Sequence, residues 1–213
     1  MIYDTTTDCL YSYCTDYSEP HSPLLAELYR ETHQKTLRPR MASGPLQGRI
    51  LSLISKLVQP RHIVEIGTFT GYATLCLAEG LHAEGQILTM EVDPELRFLS
   101  DKYFERSPYA HQIEALTGNA LDLLTEVADG VDLVFIDAKK RDYIRYYEAI
   151  IDKVRPGGIL LADNILWDSK VLAKNKDKTT QAIHDFNAHV HADTRVANVI
   201  LPLRDGVNIL QKR

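Results

Sequence analysis

The chain has 213 residues, of which 45% are hydrophobic and 25% charged, and its formal net charge is −5. This composition is typical of a soluble globular protein, and we expect a single domain spanning residues 1–213. The negative charge offers no bulk attraction to phosphate backbones or anionic membranes. Nucleic acid is therefore a disfavoured partner, although a local basic patch is compatible with an acidic whole.

The three cysteines, Cys9, Cys14 and Cys76, form neither a C-x-x-C pair nor a metal-ligand spacing. We expect no disulfide framework and no zinc site, and a reducing cytoplasm is the predicted location. The N-terminal stretch MIYDTTTDCLYSYC lacks the basic and apolar regions of a signal peptide, and no run of about 18 apolar residues occurs. Neither export nor membrane spanning is expected.

Two helices are predicted within residues 1–60. Ser22 can cap a helix that has Pro23 at its first position and Leu24, Leu25 and Leu28 at helical spacing. A loop containing RPRMASGP (38–45) follows. A second amphipathic helix, ending near Pro60, is predicted from the spacing of six apolar residues: Leu46, Ile50, Leu51, Leu53, Ile54 and Leu57.

From residue 62 onward, short apolar segments alternate with helical ones. The predicted strands are 62–67, 85–93, 112–118, 131–138 and 157–164. Apolar strands separated by helices indicate a parallel sheet covered on both faces. Residues 195–213 instead predict two strands joined by a turn at Asp205-Gly206. We therefore expect an α/β fold in which residues 61–213 form a doubly wound, mostly parallel seven-stranded sheet with a C-terminal antiparallel hairpin.

The first strand runs into a glycine-containing turn, VEIGTFTGYATL (64–75). Glycines there could simply allow a tight turn, or they could let a nucleotide-like ligand approach the backbone at a helix N-terminus. The spacing lacks the G-x-G-x-x-G of pyrophosphate-binding folds, and Glu65 would repel phosphates but suit a cationic ligand. Glu91, about twenty residues past Gly71, could bind both ribose hydroxyls. An adenosine carrying a sulfonium and an ammonium meets these conditions.

The motifs EIGTFTGYATL and TMEVDPE resemble those of class I S-adenosylmethionine-dependent methyltransferases, and in detail those of the catechol and caffeoyl-CoA O-methyltransferase group. The resemblance implies that S-adenosylmethionine is the cofactor. It places the methionine side near Glu65, Gly67, Thr68, Phe69 and Gly71, the ribose at Glu91, the adenine beside Gly118 and Ala120, and the closing loop at Met41 and Ser43, with Asp137 also near the cofactor. Ala73 departs from the pattern, because these enzymes often carry a serine there, and one hydroxyl contact would be lost.

Oxygen ligands follow two consecutive predicted strands. Asp137 ends VDLVFID, and Asp163 and Asn164 end GGILLADN. Since ligands bind outside the carboxyl ends of parallel strands, we expect these side chains to face one crevice. Such oxygens suit Mg²⁺, with Mn²⁺ or Ca²⁺ as substitutes. Alternatively, Asp137 caps the next helix and Asp163-Asn164 begins a turn. The resemblance favours the metal, because this pattern is the signature of cation-dependent O-methyltransferases.

A catalytic base is expected next to these ligands. Lys139 and Lys140 directly follow Asp137. The resemblance places the catalytic lysine three residues after the first metal aspartate, at Lys140. A nearby divalent ion and partial burial would both disfavour the charged ammonium and favour proton acceptance. The alternative is a pair of solvated surface lysines.

Further residues have weaker signals. Trp167, the only tryptophan, could form an apolar wall against an aromatic acceptor or pack a loop, and Arg204-Asp205 could border the acceptor site. We interpret His184, His189 and His191 as a solvated helix face, since no partner carboxylate is evident at ligand spacing.

The function implied by the resemblance is Mg²⁺-dependent O-methylation of a small catechol-like or phenolic acceptor by a homodimer, with residues 1–60 contributing to the acceptor site. The alternative within the family is methylation of a hydroxylated uridine in tRNA, to which RPR (38–40) could contribute a contact. A nicotinamide-dependent oxidoreductase would leave Asp163-Asn164 unexplained. A non-catalytic nucleotide-binding module would have no use for the lysine and the oxygen ligands.

Overall fold

The computed structural model describes residues 5–213, with side chains from residue 9 onward. Residues 1–4 lie outside the described residues. They belong to the expected domain and to the N-terminal stretch in which no signal peptide is expected. Within 5–213, no helix is both long and apolar enough to cross a bilayer.

Seven strands form one sheet in the order β3-β2-β1-β4-β5-β7-β6. Their bounds are β1 (His62–Ile66), β2 (Gln86–Glu91), β3 (Ile113–Thr117), β4 (Val131–Ile136), β5 (Val154–Asp163), β6 (Val196–Leu201) and β7 (Val207–Lys212). The first five strands pair in parallel, and β7 pairs antiparallel with both β5 and β6. The predicted mixed, doubly wound sheet with its C-terminal hairpin is confirmed. The last strand lies inside the sheet, so β6 forms the edge.

Eight helices surround the sheet within residues 5–213. They are α1 (Thr5–Asp16), α2 (Pro23–Lys35), α3 (Gly44–Val58), α4 (Tyr72–Ala78), α5 (Arg97–Arg106), α6 (Ala120–Leu123), α7 (Tyr143–Ile150) and α8 (Lys178–Ala192). The Ser22 hydroxyl accepts a hydrogen bond from the Leu25 amide, which confirms the predicted cap of α2. Helix α1 was not predicted, because its weakly apolar sequence shows no clear amphipathic pattern.

Two hydrophobic cores lie on opposite faces of the sheet. One contains Val64 and Ile66 of β1 and packs under α7 and α8, and the other contains Ile63 and packs under α2, α3 and α4. This alternation follows from the period of two in a strand, which places neighbouring side chains on opposite faces. Of the predicted apolar positions on α3, Leu53 and Leu57 are exposed, because α3 covers the sheet with its other face.

The turn after β1 requires glycine. Gly67 has φ +106°, and a Cβ there would overlap the main-chain carbonyl oxygen of Asp137. Its amide donates to the Met90 carbonyl at 2.9 Å, while the Asp137 amide donates to the Ile66 carbonyl at 2.9 Å. The ends of β1, β2 and β4 are therefore tied together around a residue without a side chain.

We predict that Gly67→Ala destabilises the fold by about 3 kcal/mol or more, because the added methyl must displace the backbone at Asp137. Gly130 is the matched control, since it has φ +91° but a Cβ added there would meet nothing within 4 Å. Gly130→Ala should cost only about 1 kcal/mol, the effect of the positive φ alone. Urea unfolding of both variants measures the difference, and equal costs would contradict the importance of the Asp137 contact.

Candidate active site

The strand order creates a crevice at the carboxyl ends of β1 and β4. From β1 the chain proceeds to β2 and β3 on one side and then crosses to β4 on the other. Such reversal points in open α/β sheets are where ligands bind. Asp137 directly follows β4, and Asp163 ends the adjacent β5, which pairs with β4 through Ile136 and Ala162. The sheet thus brings together two carboxylates that lie on separate strands and are well apart in sequence.

Asp163 is held in a buried position by donors from two directions. Its side chain is only 2% exposed. Oδ2 accepts a hydrogen bond from Gln47 Nε2 at 2.7 Å, and Oδ1 accepts one from the Asn164 amide at 2.8 Å. The pKa of Asp163 is raised to about 6, mainly by burial and to a smaller extent by the charge of Asp137. Asn164 has φ +58°, a left-handed conformation that asparagine tolerates well.

Lys140 lies between the same two strand ends. Its side chain is 9% exposed, and Nζ donates to Asp137 Oδ1 and to the Tyr143 hydroxyl, each at 2.6 Å. The Tyr143 hydroxyl in turn donates to the Asp163 carbonyl at 2.9 Å. Lys139, by contrast, is 71% exposed and pairs with Asp142 at 3.0 Å. The two adjacent lysines therefore have different environments, and only Lys140 contacts a candidate ligand.

Asp137 makes no capping hydrogen bond to the short helical turn that follows it, in which Lys139 occupies the cap position. Its contacts are the Lys140 ammonium and, through its main-chain amide, the end of β1. The alternative in which Asp137 is a helix cap is not what the geometry favours. Asp163, whose carboxylate binds the next amide, does open a turn, but it also binds Gln47.

Gln47 and Tyr143 were missed as site residues from the sequence. Gln47 is 1% exposed on α3, and its Oε1 accepts from Arg204 Nη1 at 3.0 Å, which leaves Nε2 to face Asp163. The sequence offered one signal for Gln47: it lies four positions before the buried Leu51, which places a polar side chain on the buried face of the helix. Tyr143, whose aromatic-rich segment predicts a core helix, lies three positions after Lys140, a spacing that places both on one helical face.

Asp137 also borders a cavity of about 570 Å³. The predicted cofactor residues that line it are Met41, Gly67, Phe69, Glu91, Gly118, Ala120 and Asp137. The Phe69 amide donates to Glu91 Oε2 at 2.8 Å, and the Asp93 amide donates to Oε1 at 3.0 Å. Glu91 thus already binds the loop that the resemblance assigns to the methionine side.

Other predicted cofactor residues lie deeper. Ser43, Thr68 and Ala73 line a small recess that connects Met41 with Asp137. All three are buried, and the Thr68 hydroxyl is 2.6 Å from that of Thr89. Gly71 has φ +86°, and a Cβ there would overlap the Phe104 ring. Packing against Phe104 therefore explains why this position is a glycine.

Glu65 is fully buried in β1 and is not among the residues that line the cavity. Its Oε2 accepts hydrogen bonds from the hydroxyls of Thr74 and Thr89, and Oε1 has no partner among the described residues. Burial raises the pKa of Glu65 to about 8. A buried acceptor without a partner, close to Gly67, is compatible with a cationic ligand in this region.

A larger cavity, of about 910 Å³, opens on the other side of Asp137. Lys140, Asp163, Asn164, Trp167 and Asp205 contribute to its lining, together with residues 37–41. Met41 and Asp137 border both cavities, so they lie where the two meet. Trp167, Arg204 and Asp205, which we considered as acceptor residues, all line this larger cavity.

Arg204 connects the closing hairpin to the loop that precedes α3. Its Nη1 donates to the carbonyls of Ala42 and Ser43 as well as to Gln47 Oε1. These contacts join the C-terminal hairpin to the start of α3 and hold Met41 near the junction of the cavities.

Comparisons with known proteins identify the family of this chain. A family profile described as O-methyltransferase matches residues 15–213. This chain belongs to the O-methyltransferase family. It is 35% identical to a catechol O-methyltransferase of Niastella koreensis, over 78% of this chain and 77% of that protein. It is 33% identical to caffeoyl-CoA O-methyltransferase 2 of Petunia hybrida, over 97% and 91% respectively.

The solved structure of an O-methyltransferase from Bacillus cereus in complex with SAH has a TM-score of 0.89, with 29% identity and coverage of 96% of this chain and 97% of that one. The resemblance noted from the sequence is thereby confirmed at the level of family and fold. The chain is an O-methyltransferase.

The expectation for the histidines of this O-methyltransferase needs a correction. His189 Nε2 lies 2.6 Å from Glu148 Oε1, a carboxylate on α7 that the sequence spacing did not reveal. Glu148 and Asp193 also pair with Arg195. This surface network satisfies its own charges.

We predict that Glu65→Gln flattens the pH dependence of stability. Between its ordinary pKa of 4.5 and the folded value of about 8, the unfolded chain has lost a proton that the folded chain retains. The free energy of unfolding therefore falls as pH rises through this window, by an amount on the order of a few kcal/mol. The Asp163 carboxyl, whose pKa is raised to about 6, adds to the fall in stability only below about pH 6. Above that pH, Glu65→Gln should remove the fall.

Urea unfolding at pH 5, 6.5 and 8 measures the effect. Glu114→Gln is the control, because Glu114 is an exposed carboxyl on β3. An unchanged slope in Glu65→Gln between pH 6.5 and 8 would contradict the assignment.

Proposed function

We propose that this O-methyltransferase requires a divalent cation and transfers the methyl group of S-adenosylmethionine to a hydroxyl of a small catechol-like or phenolic acceptor. The observation that carries the proposal is the cluster of Asp137, Asp163, Asn164 and Lys140 at the junction of two cavities. One cavity is lined by residues assigned to the cofactor, and the other offers space for an acceptor.

The smaller cavity would hold S-adenosylmethionine, which supplies an electrophilic methyl group on a sulfonium. Glu91 would accept hydrogen bonds from the ribose, with Gly118 and Ala120 beside the adenine. Glu65 Oε1, which lacks a partner among the described residues, would accept a hydrogen bond from the cationic methionine end, and that bound cation would favour the ionised form of the carboxyl. Met41, at the border of the two cavities, would separate cofactor from acceptor.

The donor set supports a hard divalent cation, with Mg²⁺ as first choice and Mn²⁺ or Ca²⁺ as substitutes. Asp137, Asp163 and Asn164 would hold it. Two neighbouring carboxylates, one nearly buried, repel each other, and this repulsion contributes to the raised pKa of Asp163. When bound, a divalent ion relieves the repulsion and supplies a Lewis acid for the acceptor hydroxyl.

Lys140 would be the general base. Its Nζ lies at the carboxylate cluster and lines the acceptor cavity. Asp137, which pairs with Lys140 here, would be shared between Lys140 and a divalent cation when the site is occupied. Nζ would then accept the proton of the acceptor hydroxyl, while Tyr143 keeps the amine in place through its hydroxyl.

The acceptor would lie in the larger cavity against an apolar wall. Leu37 and Met41 come from the N-terminal part of the chain, and Trp167 comes from the loop after β5. This lining supports the expectation that residues 1–60 contribute to the acceptor site. The implied homodimer is also part of the proposal, and the exposed Leu53 and Leu57 on α3 offer apolar surface for it.

A second candidate acceptor is a hydroxylated uridine in tRNA. The observation that favours it is the presence of Arg38 and Arg40 at the larger cavity. Methyl transfer to hypomodified tRNA, compared with transfer to catechols, separates the two.

We expect methyl transfer to stop in excess EDTA and to return on addition of Mg²⁺. Asp163→Ala should lower kcat by about 100-fold or more while the Kd for S-adenosylmethionine, measured by calorimetry, changes little, because Asp163 does not line the smaller cavity. Asp168→Ala is the control, since Asp168 is an exposed carboxylate a few residues further along the chain. Full activity in chelator would refute the cation requirement, and loss of cofactor binding in Asp163→Ala would refute its assigned role.

We predict that Lys140→Met lowers kcat by about 100-fold or more, because the proton acceptor is lost. Lys139→Met should have a much smaller effect, since the Lys139 ammonium is exposed and pairs with Asp142. Single-turnover rates at saturating cofactor and acceptor measure both variants. Similar losses in the two would contradict the assignment of Lys140.

A further inference from the structure

The larger cavity has a charge opposite to that of the whole chain. The chain carries a formal charge of −5, yet six basic and only three acidic side chains line this cavity. The basic residues are Arg38, Arg40, Lys139, Lys140, Arg141 and Arg204. A concave site with an excess of one charge concentrates ligands of the opposite charge.

The three carboxylates do not neutralise this excess at the mouth of the cavity. Asp137 pairs with Lys140. Asp163 is buried and binds Gln47. The Asp205 carboxylate accepts a hydrogen bond from the Asp168 amide, and burial raises the pKa of Asp205.

Three of the basic residues have their own internal partners. Lys139 pairs with Asp142, Lys140 pairs with Asp137, and Arg204 donates to main-chain carbonyls and to Gln47. Their charges or donors are therefore committed to the protein itself.

The other three, Arg38, Arg40 and Arg141, are exposed and form no ion pair with any carboxylate whose side chain is described. The Arg141 side chain makes a single hydrogen bond within the described part of the chain, from Nε to the Thr179 hydroxyl at 3.3 Å. We call these three residues the arginine rim. Their guanidinium groups are available to bind a ligand, and the planar fork of arginine suits carboxylates and phosphates.

We propose that the methyl acceptor is a small acid whose carboxylate the arginine rim binds while the reacting hydroxyl lies at Lys140 and Asp163. This inference rests on the proposed function. Leu37, Met41 and Trp167 line the same cavity, so an aromatic head with an acidic tail matches both its apolar and its cationic surfaces. A small acid fits better than tRNA, since a polyanion would also meet the overall negative charge of the chain.

Three acceptors with the same 3,4-dihydroxyphenyl head test the inference: 3,4-dihydroxyphenylacetate, its neutral methyl ester, and the cationic dopamine. The acid should have a kcat/KM about tenfold or more above that of the ester, with dopamine lowest, because only the acid forms charge-assisted hydrogen bonds with the rim. The difference should lie mainly in KM. Equal values for acid and ester would overturn the inference.

Replacing the arginine rim by glutamine (Arg38→Gln, Arg40→Gln and Arg141→Gln together) should abolish the preference for the acid over the ester. The control variant, Arg30→Gln, Lys174→Gln and Lys178→Gln together, removes the same number of charges from exposed positions outside the cavity. It should keep the preference. A preference that survives in the rim variant, or is lost equally in the control, would overturn the inference.

A binding measurement separates this inference from the proposed chemistry. Trp167 is the only tryptophan and lines the cavity, so its fluorescence reports occupation without turnover. With Mg²⁺ and S-adenosylhomocysteine present, the acid should bind more tightly than the ester, and the rim variant should lose this difference. If it does so without methyl transfer, the anionic site stands and the proposed reaction fails. Methylation of hypomodified tRNA with no preference among the catechols would instead overturn the small acidic acceptor.

Discussion

The site depends on two carboxylates that adjacent parallel strands hold next to each other. Asp163 is taken almost entirely out of water at the end of β5, close to Asp137 after β4. Burying a carboxylate beside a like charge is unfavourable unless donors or cations compensate. The surrounding structure supplies these groups: Gln47 and the Asn164 amide for Asp163, and Lys140 for Asp137.

These compensating groups come from distant parts of the chain. Gln47 belongs to α3, and Arg204, which orients its amide, belongs to the turn between β6 and β7. Helix α3 and the C-terminal hairpin therefore meet at the carboxylates. The site depends on these two segments as well as on the parallel strands.

Charge is divided between the two cavities in a way that suits two different ligands. Glu91 lines the smaller cavity, where a cationic cofactor would bind. The arginine rim lies on the larger one. Asp137 borders both cavities, so a group held there faces cofactor and acceptor at once. Gly67 makes this closeness possible, because a side chain at that position would overlap the Asp137 carbonyl.

The sequence by itself determined the alternation of strands and helices, the hairpin, the glycine turn and the family, because these follow from periodicity and local motifs. It also placed Asp137 and Asp163 at strand ends. Only the tertiary structure decided that β7 lies between β5 and β6, that Lys140 rather than Lys139 contacts Asp137, and that Gln47, itself bound by Arg204, donates to Asp163. These features depend on long-range packing and on which side chains lose contact with water, and no local pattern encodes either.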